Sequence, residues 1–250
     1  MHRFFCPQAG TLFAAMSSAG GRTSAEPAIA QLDRDETHHA KRVLRLNIGD
    51  KVELLDGAGH LAQATIQSWE GGATLHVDTV RHIARDQPHL TLAVAIPKGP
   101  RADDMISQLC QLGVDRFIPL RTQRSVVDPR QHKLERLGGI VIDALKQSGR
   151  VWQMRIDPVT DLADVLRLPG DCRLIACAAT GDVPSMPVTT GATRAIVLIG
   201  PEGGWSDQEL ADAQQAGLTR WTFNPHTLRI ETAALAAAAI VRALAADKGG

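Results

Sequence analysis

No segment of this chain reaches the roughly 18 consecutive apolar residues of a membrane span. Even the apolar run at 233–240 is mostly alanine and is soon closed by Arg242. A membrane partner is therefore excluded from the reading. The opening residues, MHRFFCPQAG, lack an apolar core of secretory length, which makes the cytoplasm the expected setting. Cysteine is scarce: Cys6, Cys110, Cys172 and Cys177 form no C-x2-C pair and have no histidine cluster beside them, so they read as reduced, buried thiols and no metal is expected. Neither G-x-G-x-x-G nor G-x4-G-K-[ST] occurs, which leaves a dinucleotide oxidoreductase or a P-loop phosphotransferase without its phosphate loop. Net charge is also lacking, at zero over 250 residues. The charge is unevenly spread, however. Residues 81–155 carry 13 lysines and arginines against 7 acidic residues, and both flanks are net acidic. This middle third is either a basic face for nucleic acid or an ordinary solvated surface.

The length and a 44% apolar content suit a small domain joined to a mid-sized one. Up to about residue 80 the pattern is that of short strands, KVELLDG, HLAQATIQSW and ATLHVDTV, separated by glycine turns, with one helix capped by Thr37 and stopped at Asn47 and Gly49. This predicts a small barrel-like module. After Pro88 apolar strands alternate with helical periods: LTLAVAIP, DRFIPL, CRLIACA and RAIVLIG interleave with DDMISQLCQLG, KLERLGGIVIDALKQSG, DLADVLRL and SDQELADAQQAG, and an alanine-rich helix follows. The alternation predicts an α/β domain with a parallel sheet. Domains of 1–82 and 83–250 are expected.

Three constellations carry candidate chemistry. Strand RAIVLI runs through Ile199 into Gly200-Pro201-Glu202-Gly203-Gly204, where glycines let a backbone approach a ligand, and Ser206 with Glu209 forms a capping box on the next helix. A loop at Asn224-Pro225-His226-Thr227-Leu228-Arg229-Ile230-Glu231-Thr232 precedes the alanine-rich helix; Glu231 or Thr232 can cap it, whereas Arg229, expected where the chain turns into a buried helix, would need a partner or ligand. Finally Lys98, Arg101, Arg121, Arg124 and Arg150 fall in loops or at element ends, placed to meet phosphates or simply water. In the first domain Arg3 and Phe4, with His38, His39, Arg42 and Arg45, offer rings and cations for single-stranded RNA.

HRFF, THHAKRVLRLNIGD, AIPKG, QLGVDRFIPLRTQRSVV, KQSGR, LIGPEGGWSDQEL and LRIETAALAAA stand in an order that resembles the RsmE family, SPOUT-class methyltransferases acting on uridine N3 of 16S ribosomal RNA. The resemblance runs from residue 3 to about residue 242. It implies a PUA-like N-terminal β-barrel, a trefoil-knotted C-terminal domain, a homodimer, and 16S ribosomal RNA within the small subunit as partner. It also implies S-adenosylmethionine held at Ala178 and Ala179, at Ile199 and 200–204, and at Asn224, Thr227, Leu228, Ile230 and Thr232. Under this reading Arg229 stabilises charge on the base, Glu231 positions Arg229 or accepts a proton, and Glu202 is the reserve catalytic candidate. The competing expectation is a catalytically idle RNA-binding or ribosome-assembly protein that retains the fold; cofactor binding would separate the two.

Overall fold

The computed structural model describes residues 1–18, 28–126, 131–178 and 191–246, in two compact units. The first comprises Met1–Arg85 together with Leu145–Gln153. It holds β1 (Arg3–Phe5), α1 (Gly10–Ser18), β2 (Ile29–Gln31), α2 (Arg34–His38), β3 (Lys51–Leu55), β4 (His60–Ser68) and β5 (Thr74–His82). The sheet order is β1-β3-β4-β5-β2, antiparallel except where β1 lies parallel to β3. Alternate residues point inward, as the pleat requires: Val52 and Leu54 on β3, Ala62, Ala64 and Ile66 on β4. On β5 the inward set runs Leu75, Val77 and then Val80, because a bulge opposite Gln63 and Ala64 inserts one residue and resets the alternation.

Three expectations for this unit need correction. The helix starts four residues earlier than the Thr37 cap implies: Asp33 accepts the Glu36 N–H at 2.8 Å, while the Thr37 hydroxyl accepts the Ala73 N–H at 3.2 Å and so ties the helix to β5. Past His38 the helix widens into a π-type turn over His39–Val43. Phe4 is not a stacking platform for RNA. It is fully buried in the same core as Phe13 of α1, because β1, although an edge strand paired only with β3, turns this side chain toward the core. Residues 145–153, which the sequence pattern assigns to the second domain, are held in the first unit: the Lys146 ammonium meets Glu36 at 2.7 Å, the Gly59 N–H donates to the Val151 carbonyl, and the Trp152 indole donates to the Ile83 carbonyl.

The second unit comprises Asp86–Ala144 and Met154–Gly250. In chain order it contains β6 (His89–Val94), α3 (Arg101–Gln111), β7 (Arg116–Arg121), α4 (Gln131–Ser148, whose last turn belongs to the first unit), β8 (Arg155–Ile156), β9 (Thr160–Asp161), α5 (Leu162–Val165), β10 (Cys172–Ala176), β11 (Arg194–Ile199), α6 (Asp207–Gln215), β12 (Thr219–Trp221) and α7 (Ile230–Ala246). The sheet runs β12-β10-β11-β6-β7-β8 and every pair in it is parallel. Leu90, Leu92, Ala93 and Val94 are all buried, the continuous burial expected of a parallel strand covered on both faces. The alanines of α7 let it lie close on α3, β6 and β11. Near its end Arg242 reaches the buried Asp115 carboxylate at 2.8 Å, which also accepts the Leu90 N–H at 2.9 Å; the same guanidinium donates to the Pro88 carbonyl at 2.8 Å. A buried ion pair holds where such hydrogen bonds satisfy it.

Cys6 supplies a test of the first core. Its thiol is fully buried, and burial pushes its pKa up from 9.0 to about 11. A group whose folded pKa exceeds the unfolded one stabilises fully below the unfolded value and loses that contribution as pH rises through the folded one. Unfolding free energy is therefore expected to fall by on the order of 2–3 kcal/mol between pH 9 and pH 11 from this thiol. Denaturant melts of Cys6→Ala should show a shallower alkaline decline than wild type; equal slopes would reject the assignment.

Candidate active site

β10, β11 and β12 are neighbours in the parallel sheet, so the loops leaving their carboxyl ends converge, which is where open α/β sheets bind ligands. A cavity of about 160 Å³ lies there, walled by residues 176–178, by Ile199 and the following loop, and by Phe223, Asn224 and residues 226–228. Its lining is mainly apolar, with Glu202, Asn224, His226 and Thr227 as polar groups. The floor is set by Trp205, whose indole N–H donates to the Ala176 carbonyl at 2.8 Å and whose ring lies on Gly200. A Cβ at Gly200 would come within 2.7 Å of that ring, so only glycine fits there. Gly204 has φ +69°, the left-handed conformation that L side chains avoid.

The glycine loop is fastened from outside. Ser206 and Glu209 form the predicted capping box, with the Ser206 N–H donating to Glu209 Oε2 at 2.8 Å and the Glu209 N–H to the Ser206 hydroxyl at 3.2 Å. The other oxygen of this buried carboxylate accepts the Gln123 N–H at 2.8 Å, joining the loop after β7 to the start of α6. Next to it the Arg124 guanidinium donates to the Gly203 carbonyl at 2.8 Å and to the Trp205 carbonyl at 3.3 Å. Cys177 lines the cavity as well. Burial raises its thiol pKa while Arg220 opposes the rise, so it is a protonated wall residue rather than a nucleophile.

This cavity lies within a stretch, residues 85–242, that matches a model described as an RNA methyltransferase domain, and residues 32–71 match an RNA methyltransferase PUA domain. The chain belongs to the RNA methyltransferase family. Among relatives of the family, Ribosomal RNA small subunit methyltransferase E of Synechocystis sp. is 32% identical over 87% of this chain and 74% of its own length. The protein of the same name from Mycobacterium bovis is 30% identical over 87% of both chains. Ribosomal RNA small subunit methyltransferase E of Neisseria gonorrhoeae, solved bound to S-adenosyl methionine, is 26% identical with a TM-score of 0.82 over 98% of both chains. The two-part fold read from the sequence, a PUA-like β domain followed by a SPOUT-class parallel-sheet domain, is the fold of this family member.

The residues singled out from the sequence are distributed unevenly around this site. Ala178, Ile199, Gly200, Pro201, Glu202, Gly204, Asn224, Thr227, Leu228 and Ile230 all line the cavity. Ala179 lies outside the described residues. Gly203 does not line it, because its Cα faces the Arg124 side chain, and Thr232 is exposed on the first turn of α7 instead. Arg229, read as needing a partner or a ligand, is exposed at the start of α7, its carbonyl accepting the Ala233 N–H at 2.8 Å, and its side chain makes no ion pair among the described residues. Glu231 turns to Arg101, at 3.3 Å, rather than to Arg229. Lys98 is exposed beside a smaller cavity that shares Pro201, Glu202 and Ile230 with the main one.

The remaining cations differ in how far they are engaged. Arg3 is paired with Glu53 at 2.8 Å, Arg121 with Asp161 at 3.1 Å, and Arg150 is half-buried. His38, His39, Arg42 and Arg45 are exposed on the first unit. Sequence reasoning missed Phe223 and Trp205 as cavity walls; the aromatic residue closing RWTF and the tryptophan directly after the glycines were the available signals.

Because one carboxylate fastens two loops, Glu209→Ala should cost about 2–3 kcal/mol, combining a lost cap with an unsatisfied buried N–H. Hydrogen exchange should accelerate at the Gln123 and Ser206 amides together. Faster exchange at Ser206 alone would mean that the Gln123 link carries no weight.

Proposed function

We propose that this protein transfers a methyl group from S-adenosylmethionine to N3 of a uridine in 16S ribosomal RNA of the small subunit. The observation that carries the reading is the cavity at the carboxyl ends of β10, β11 and β12, with Trp205 seated on Gly200, in a chain whose relatives are named small-subunit ribosomal RNA methyltransferases. A structure of such a protein contains S-adenosyl methionine. The apolar walls suit an adenine and ribose, and Glu202 places a negative charge at a ligand whose reactive end is cationic. When bound, the cofactor supplies an electrophilic methyl group for an in-line displacement. The chain's own part is to hold the two reactants in line and to exclude water, with backbone groups of residues 176–178, 200–204 and 224–228 making most contacts.

Arg229 is assigned the stabilisation of negative charge on the base carbonyls, a role its exposed position leaves it free to take in the RNA complex. Methylation of N3 requires its proton to leave, and Glu231 is assigned as the acceptor of that proton, with Glu202 the reserve carboxylate of the reacting centre. Residues 1–82 are taken as the RNA-holding domain and 83–250 as the catalytic one. On the first unit the RNA is met by His38, His39, Arg42 and Arg45, with Arg3 behind them. Arg150, in the 145–153 segment, joins them on the first unit, and on the second the RNA is met by Lys98 and Arg121. Arg124, whose guanidinium is committed to two loop carbonyls, reaches RNA only by giving up those bonds. The protein is taken to act as a cytoplasmic homodimer; among the described residues no helix is long and apolar enough to cross a membrane.

Purified protein incubated with radiolabelled S-adenosylmethionine and undermethylated small subunits should label 16S RNA at one uridine, mapped by mass spectrometry as N3-methyluridine. Label at another atom or on another RNA would overturn the substrate assignment. Gly200→Ala, which pushes the indole into the cavity, should weaken cofactor binding at least tenfold by calorimetry while the protein remains folded. Arg229→Ala should lower the single-turnover rate on the order of 10²-fold at unchanged cofactor affinity.

Arg45 separates binding from stability. It is an arginine at φ +56°, a conformation that costs an L residue about 1 kcal/mol or more, and its side chain is exposed. Arg45→Gly should leave the fold as stable or more so, yet weaken RNA binding and flatten its salt dependence by close to one counterion. An unchanged salt slope in filter binding would remove Arg45 from the RNA surface.

A further inference from the structure

Arg101 is the first residue of α3, where a cation opposes the helix dipole, and its cap, Pro100, supplies no side-chain hydrogen bond. Helix propensity therefore does not account for an arginine there. Its Nη1 lies 3.3 Å from Glu231 Oε1 and 3.7 Å from Glu202 Oε1, so one guanidinium joins three segments: the loop after β6, the glycine loop and the first turn of α7. Glu202 lines both cavities, and Ile230, the neighbour of Glu231, does too. Without the cation between them the two carboxylates would repel. The Glu231 side chain is only 17% exposed, and while Oε1 takes the arginine, Oε2 is buried with no hydrogen-bond partner among the described residues. A buried, unsatisfied carboxylate oxygen costs on the order of 1–3 kcal/mol or more, and such atoms in native proteins call for a specific explanation.

We propose that Arg101 is the positioning residue of the methyl-transfer centre, holding Glu231 by one oxygen so that the other accepts a hydrogen bond from the N–H of the target base. This rests on the methyl-transfer reading above and adds to it the residue that aims the acceptor. A pyrimidine imide presents one N–H between two carbonyls, so a single fixed acceptor selects the ring orientation that brings this nitrogen toward the methyl donor. Glu202, on the same guanidinium, links that acceptor to the loop that walls the cofactor cavity. The bond to Arg101 thereby registers base and cofactor against each other. An arginine that merely staples α3 would affect stability and cofactor affinity but would not act through Glu231.

Single-turnover methylation of small ribosomal subunits at saturating S-adenosylmethionine, with calorimetric cofactor affinity and thermal melts alongside, tests this. Arg101→Ala is expected to slow the step on the order of 10²-fold while cofactor affinity stays within about twofold, since a misplaced group of about 1 Å costs that much. Glu231→Ala should lose a similar factor, and the double variant should be no slower than the slower single one, because the two residues act as a unit. Arg101→Lys, which keeps the charge but not the fork, should recover part of the rate. Multiplying losses in the double variant, or a wild-type rate in Arg101→Ala, would overturn the proposal. If Arg101→Ala melts below the assay temperature, Arg101→Gln carries the same comparison. A wild-type protein that transfers no methyl group to small subunits overturns the functional reading, and the Arg101 role with it. An active wild type beside an unimpaired Arg101 variant overturns the Arg101 role alone.

Discussion

The geometry of the site depends on one buried carboxylate. Among the described residues Glu209 has no cation as its partner; its carboxylate is met by backbone N–H groups, those of Ser206 and Gln123, one on each oxygen. Hydrogen bonds to an ionised acceptor are roughly twice as strong as neutral ones, and in a buried place they admit little angular freedom. The consequence is that the end of the glycine loop and the loop after β7 share a single rigid anchor. Arg124 then closes the outside of the glycine loop through carbonyls that would otherwise be free to turn. The cavity is thus shaped by contacts on the far side of its wall, from residues that do not line it.

The same division of labour holds at the other end of the unit. Asp115 and Arg242 lie at the amino ends of the strands, where they bind α7 to the entries of β6 and β7 through Leu90 and Pro88. α7 therefore has a fixed far end, and its first turn, carrying Ile230 and Glu231, is delivered to the cavity and to Arg101 respectively. A run of small residues suits this arrangement because a helix with alanines on its inner face can approach a sheet closely without side chains that must choose among rotamers.

Much of this was legible in the sequence where the signal is local. The capping box at Ser206 and Glu209, the strand-to-glycine transition after Ile199, and the alternation of apolar runs with helical periods each rest on neighbours within about ten residues, and each is present in the structure. What was not legible depends on distant partners. Phe4 reads as an aromatic beside a cation because its strand is only three residues long and pairs with residues fifty positions away. Thr37 reads as a cap because nothing nearby reveals that its hydroxyl serves Ala73. Arg229 and Arg101 are indistinguishable as sequence cations, and only the fold shows which one meets Glu231. Arg124 has the composition of an RNA contact and the geometry of a clamp. The relation between residues 145–153 and the first unit left no periodic trace, since it is made of one isolated antiparallel bridge of Ala58 with Trp152, ring contacts of Trp152, scattered hydrogen bonds and the Lys146–Glu36 ion pair.

The seating of Trp205 on Gly200 also gives the protein an optical property. The chain contains no tyrosine and four tryptophans, so its near-ultraviolet emission comes almost wholly from indoles. Of the four, Trp205 alone lines the main cavity, with its N–H fixed to the Ala176 carbonyl, whereas Trp221 is fully buried and Trp69 and Trp152 belong to the first unit. A ligand entering the cavity must change the polarity around that one ring. The fold therefore carries its own fluorophore at the wall of the binding space, and occupancy can be followed by intrinsic emission without any label.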